Sequence, residues 1–169
     1  MWTAIIEFLS SFKIYTIIYP DEAGVKTRCG RLKARLDTGI YWQWPIIDTI
    51  ESASVVPQVI DLRPQNVTTK DKYSVMVSGA ILYSIEDAYK ALYKVQDYDT
   101  AISNYALTLI AKYTQGLCID DINIVNMSID LTDDLSTMAD TWGLTVTDVT
   151  ITDLARCKVL SLTGMPESE

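Results

Sequence analysis

The chain has 169 residues, 49% apolar and 21% charged, with a formal net charge of −8 and no histidine. That is enough for one domain with a real core, and the acidity excludes nucleic acid as the main partner, because phosphate binding needs a basic face. Without histidine the commonest general base, metal ligand and pH switch are gone. The three cysteines, Cys29, Cys118 and Cys157, form no Cys-x-x-Cys pair, so zinc and dithiol chemistry are not expected and a reducing intracellular compartment is.

Residues 1–19 are the apolar extreme of the chain. Trp2, Ile5, Ile6, Leu9 and Phe12 follow helical spacing, Phe8 widens the stripe, and Glu7, Ser10, Ser11 and Lys13 interrupt it. A spanning helix wants about 20 apolar residues with few charges. A secretory signal wants a basic start and a small-residue cleavage site. Neither condition is met, so the stretch reads as a short amphipathic helix leading into a strand at Ile14–Tyr19. Packing on its own domain or a neighbouring subunit, lying in a membrane interface and crossing the bilayer all remain open.

Val25–Arg31 reads as a strand after a turn at Pro20–Gly24. The cations Lys26, Arg28, Arg31, Lys33 and Arg35 lie along it and just beyond. They suit either a solvated edge strand kept from aggregating by charge, or a surface that meets anionic lipid or the acidic half of a neighbour. Charge is uneven enough for the latter: residues 1–72 hold nine Lys/Arg against eight Asp/Glu, and residues 73–169 five against fourteen. Leu36–Gly39 is a turn signal, and Trp42, Trp44 and Pro45 follow in an extended stretch. Val55–Asp61 and Asn66–Thr69 read as strands. In Tyr73–Tyr83 the residues Tyr73, Val75, Val77, Ile81 and Tyr83 alternate, and Gly79 marks a bulge or a close approach.

The period then changes from two to three and four. Ala88, Ala91, Leu92 and Val95 make one helix, with Asp87 able to cap it. Tyr98, Ile102, Tyr105 and Leu109 make a second, capped by Asp97 or Asp99 and ended by Gly116. Leu131, Leu135, Met138 and Trp142 make a third, stopped by Gly143. Leu144–Thr152 returns to strand alternation. Leu144 and Val146 share one phase and Val149 and Ile151 the other, which predicts a bulge or strand end at Asp148. Strands first and helices after give an α+β domain, a mostly antiparallel sheet packed by three helices. The divisions are residues 1–19, a domain over 20–154, and a short tail over 155–169.

Candidate chemistry is thin. Asp120-Asp121 and Asp133-Asp134 are adjacent carboxylates, which do not face each other on a helix, and no calcium-loop pattern surrounds them. They read as a solvated acidic face or a weak cation site. No glycine-rich phosphate loop is present, and no cofactor, metal, small-molecule substrate or catalytic residue is expected.

Short phrases in fixed order carry more information. They are Pro20–Val25; Gly30-Arg31; Gly39 with Pro45 and Asp48; Thr69 with Asp71; and Tyr83, Ile85 and Asp87. Trp142-Gly143-Leu144 with Val149–Asp153 follows. Together they resemble the SPFH superfamily, also called the Band 7 or prohibitin-homology domain, over roughly residues 14–154. The resemblance implies a non-catalytic, self-associating scaffold that forms rings or larger oligomers, usually peripheral on a membrane through its N-terminal segment. A structural subunit of a protein shell or virus particle without lipid, and an adaptor that limits a membrane protease, are the rival expectations. The family's usual C-terminal coiled coil is not expected within Leu154–Glu169, which carry no heptads. Subunit contacts are therefore expected from Trp2, Ile5, Ile6, Phe8, Leu9 and Phe12, and from charge pairing between Lys26, Arg28, Arg31, Lys33, Arg35 and Asp120, Asp121, Asp133, Asp134 of a neighbour, head to tail.

Overall fold

Glycine, capping residues and alternation place the elements of the chain with few surprises. In the computed structural model the described residues are 14–157. Seven strands come first: β1 (Tyr15–Ile18), β2 (Glu22–Arg28), β3 (Arg31–Leu36), β4 (Gly39–Trp42), β5 (Asp48–Ser54), β6 (Gln58–Thr68) and β7 (Ser74–Ile85). Three helices follow, α1 (Ala88–Tyr93), α2 (Tyr98–Gly116) and α3 (Ile124–Trp142), with a 3-10 turn at Ile119–Asp121 before α3, and β8 (Leu144–Cys157) closes the domain. The α+β order expected from the sequence is the order found. The anticipated N-terminal helix and most of the tail lie outside the described residues, although β8 runs on to Cys157, three residues into the stretch read as tail.

All strand pairs are antiparallel, in three small sheets ordered β1-β4, β3-β2-β5 and β6-β7-β8. α2 lies on β6 and α3 on β8. Ile102, Ala106, Leu109 and Ile110 of α2, with Met127, Leu131, Leu135 and Ala139 of α3, bury against Val75, Val77, Ile81 and Tyr83 of β7 and against β8. The same cluster reaches Val25 and Ala53, so the β3-β2-β5 sheet shares this core.

Helix ends follow local chemistry. Asp87 caps α1 through the Tyr89 and Lys90 amides, Asp97 (rather than Asp99) caps α2 through Thr100, and Asn123 caps α3. Gly143 ends α3 in the left-handed region at φ 77°, and its carbonyl accepts from the Glu86 and Asp87 amides, tying the end of α3 to the start of α1. Gly116 is the last residue of α2 and not the one beyond it.

The phase slip in β8 is a bulge. Leu82 pairs with Asp148 and Tyr83 with Val146, leaving Thr147 unopposed, and Leu144, Val146, Val149 and Ile151 are all buried as a result. Four readings are corrected. Residues 25–31 are not one strand: Cys29 (φ 49°) and Gly30 (φ 75°) form a two-residue turn that splits them into the β2–β3 hairpin. Asp48–Ser54 is a strand, although its sequence carries no alternation. Residues 58–68 are one strand kinked at Arg63-Pro64. Tyr73 is exposed and lies before β7, beneath the Arg156 guanidinium.

Candidate functional site

β1 and β4 form a two-stranded ribbon whose outward face is apolar. Tyr15 lies opposite Trp42 and Ile17 opposite Ile40, and all four are exposed. The loop after β4 continues the face with Trp44, Ile46 and Ile47, Ile46 being 88% exposed. With Ile14 and Tyr19 this makes nine of the eighteen exposed large apolar side chains among the described residues, within two stretches, 14–19 and 39–47, that contain no charged residue. Ile14 and residues 42–47 line a hollow of about 520 Å³. An apolar, aromatic-rich patch of this kind marks an interaction surface.

A buried charge cluster holds the loop. Asp48 is fully buried, and its carboxylate takes the Arg28 guanidinium in a fork (Nε at 2.6 Å, Nη2 at 3.0 Å) and Lys26 Nζ at 3.0 Å. It also accepts from the Trp44 amide at 3.3 Å, while the Trp44 carbonyl accepts from the Ile47 and Asp48 amides. Lys26 Nζ donates in addition to the Trp42 carbonyl at 2.6 Å. At the other end of the ribbon Ile18 is buried over Gly24, where a Cβ would meet Ile18 Cδ1 at 2.8 Å; Gly24, expected in a turn, lies inside β2 and is needed for this approach. The ribbon is thus clamped at both ends with its apolar face left outward.

The hydrogen bonds from Arg28, with help from Lys26 and the Trp44 amide, hold the Asp48 carboxyl well below the usual carboxylate range against the opposing effect of burial. A depressed folded-state pKa contributes stability that is fully present above the unfolded value near 4 and is lost as pH falls below it. Asp48→Asn should therefore flatten the loss of stability on acidification below pH ~4, read by urea unfolding at stepped pH. An unchanged acid limb would contradict the cluster.

A second surface is a groove of about 480 Å³ between α3 and the free edge of β8. Exposed Ile124, Val125 and Ile129 line it, with Asp133 and Asp148 among the lining residues. The Val149 amide points to this edge and donates to Thr132 Oγ1 of α3. Inside the domain, the buried Tyr83 hydroxyl bridges Gln58 and Asp99. Burial first, and then the Asp99 carboxylate, push its pKa well above the usual tyrosine range, so it stays a donor.

The residues singled out in the sequence are placed as follows. Trp2, Ile5, Ile6, Phe8, Leu9 and Phe12 lie outside the described residues. Lys26 and Arg28 meet Asp48, and Arg35 meets Asp87 at 2.9 Å. Arg31 and Lys33 are exposed and meet no carboxylate among the described residues. Asp120 pairs with Arg156 at 3.3 Å, both largely exposed, and Asp134 accepts from the Tyr113 hydroxyl. Asp121 and Asp133 are exposed. Asp71 reaches beyond its own turn: it accepts from the Ile119 amide and joins the β6–β7 hairpin to the 3-10 turn. Among the described residues no cluster of three or more His, Cys, Asp or Glu is placed to hold a metal, and no helix is long and apolar enough to cross a membrane.

The family model for the SPFH domain / Band 7 family matches residues 16–160. The chain belongs to the SPFH/Band 7 family. A protein of Methanothermobacter thermautotrophicus is 32% identical over 143 residues, which cover 83% of this chain and 45% of that one. Stomatin-like protein 2, mitochondrial, of Rattus norvegicus is 28% identical over 126 residues, 73% of this chain and 36% of the rat protein. A protein of Acanthamoeba polyphaga mimivirus whose name places it in the band 7 family is 26% identical over 144 residues, 83% of this chain and 47% of its own length. This SPFH/Band 7 chain thus spans less than half the length of each of these three relatives.

Two of the family phrases now have physical jobs. The Gly39, Pro45 and Asp48 element is the ribbon's second strand, its apolar loop and the carboxylate that fixes that loop. Tyr83, Ile85 and Asp87 are a buried bridge, a core residue and a helix cap. What sequence reading missed is the ribbon face: Ile40, Trp42, Trp44 and Ile46 were visible as an apolar stretch, but nothing local said that it points outward.

Proposed function

We propose that this SPFH/Band 7 chain is a non-catalytic, self-associating scaffold, attached peripherally to a membrane through the outward face of the β1–β4 ribbon and the Trp44–Ile47 loop. The observation that carries this reading is the concentration of exposed tryptophan, tyrosine and isoleucine on a ribbon without charge, clamped by Asp48 from behind. Tryptophan and tyrosine favour the depth of the headgroups, where an amphipathic ring has apolar and wet neighbours at once. Burial of isoleucine supplies the attraction. Trp2, Ile5, Ile6, Phe8, Leu9 and Phe12 precede the ribbon in the chain and carry the same character. The resemblance to stomatin-like protein 2 supports the assignment.

The α3–β8 groove is the surface we assign to a second copy of the chain. Its apolar lining and acidic members are suited to a heterologous contact, which closes into rings or runs on as filaments. Flotation and sedimentation of the full chain test the function. The chain should rise with liposomes and, in solution, run well above its 18.9 kDa monomer mass. A monomer that stays at the bottom of the gradient would refute the proposal, whereas particles that ignore liposomes would favour a shell subunit.

A further inference from the structure

The two ends of the ribbon differ in charge. At the end where Ile18 pairs with Gly39, the flanking residues are Asp21, Glu22 and Asp37. At the other end, where Tyr15 pairs with Trp42, the loop to Ile47 lies beside the β2–β3 turn, because the Cys29 amide donates to the Ile47 carbonyl at 2.9 Å. Arg28 and Arg31 flank that turn, and Lys33 follows two residues into β3. Arg28 answers Asp48, so its charge is met inside the domain. Arg31 and Lys33 answer nothing among the described residues, and Leu32 between them is 44% exposed.

Resting on the membrane reading above, we propose that the ribbon is a receptor for anionic bilayers and enters them by one end. The Trp42–Ile47 loop and Leu32 reach the boundary between headgroups and acyl chains, Arg31 and Lys33 stand at the level of the lipid phosphates and carboxylates, and the Asp21, Glu22 and Asp37 end points away. The overall charge of −8 favours this arrangement. A chain so acidic is repelled by an anionic surface unless it presents a face whose carboxylates are matched or distant, and screening confines the interaction to about 10 Å. The loop end is that face: among the described residues its one carboxylate, Asp48, is buried and has two cations upon it. The orientation also places apolar side chains and free cations in the same layer, the combination that juxtamembrane basic segments use to read anionic lipid.

The test is flotation of the full chain with vesicles of phosphatidylcholine alone and of phosphatidylcholine mixed with phosphatidylserine. Each cation near an anionic surface is worth about fivefold in partitioning. Arg31→Gln with Lys33→Gln should therefore lower binding to the mixed vesicles by about twenty-five-fold and leave binding to phosphatidylcholine unchanged. Both side chains are exposed and meet no carboxylate among the described residues, so far-UV circular dichroism should not change. Added salt should erase the difference between the two vesicle types. Asp37→Asn, at the far end, should leave the preference as it is. Equal binding of the native chain to both vesicle types would overturn the anionic preference while leaving membrane attachment standing, and a double variant that keeps its preference would overturn the role given to Arg31 and Lys33. An Asp37→Asn gain as large as the double variant's loss would overturn the orientation. No binding to either vesicle type would remove the membrane reading and this inference together.

Discussion

Gly79→Ala should destabilise the domain by about 3 kcal/mol, at the upper end of what overpacking usually costs. Gly79 lies in the middle of β7, between β6 and β8, opposite Leu62 and Ile151. A Cβ there would stand 2.6 Å from the Thr150 carbonyl oxygen and 3.5 Å from Ile151 Cα and Leu62 Cδ1. The obstacle is backbone, so relief requires the β7–β8 ladder to open just beside a second bulge, where Ser78 pairs with Asp153, Gly79 pairs with Ile151 and Thr152 is left unopposed. β8 carries Val149 and Ile151 into the core, so the strain reaches packing as well as hydrogen bonding. A loss of about 3 kcal/mol is a large share of the 5–15 kcal/mol that holds a domain folded. Urea denaturation measures it. A midpoint within error of the native one would mean that the two strands do not approach as described.

The second large effect is on binding, with stability unaffected. Trp42→Ser combined with Ile46→Ser should weaken liposome binding by about a hundredfold while the unfolding midpoint stays put. Both side chains are exposed, at 62% and 88%, so folding removes little of their surface from water and their replacement costs the fold little. Each is worth about 1.5 kcal/mol when moved out of water, the lower end for large apolar side chains, and about 3 kcal/mol together is a factor of about one hundred. A matched loss of stability would place these side chains in a packed interior, contrary to their exposure. Unchanged flotation would move the attachment to another part of the chain.

Local chemistry made much of the fold legible. Asp87 and Asp97 cap helices because a carboxylate oxygen can reach free amides in the first turn. The Leu144/Val146 and Val149/Ile151 phases are on the core side of one strand only if a residue is skipped, and Thr147 is skipped. What failed was set by partners distant in sequence. β5 has the unpromising sequence Asp48–Ser54 and is a strand because β2 pairs with it along its whole length. The hairpin turn at Cys29-Gly30 escaped notice because its first position, which needs positive φ, holds cysteine where asparagine or aspartate would have announced it. The candidate site was half legible. Lys26, Arg28 and Asp48 were visible as charges, but their meeting depends on the β2–β5 register. The alternation of Ile40 and Trp42 looks the same whether the face is buried by the domain's own core or left for a partner.

The most direct measurement is electron cryomicroscopy of the full chain on liposomes that contain anionic lipid. The account predicts arrays or rings of touching subunits, each with the β1–β4 ribbon and the Trp44–Ile47 loop set into the headgroup layer and α3 against the next copy. Separate single subunits, or an ordered coat whose ribbon faces the solvent, would contradict it.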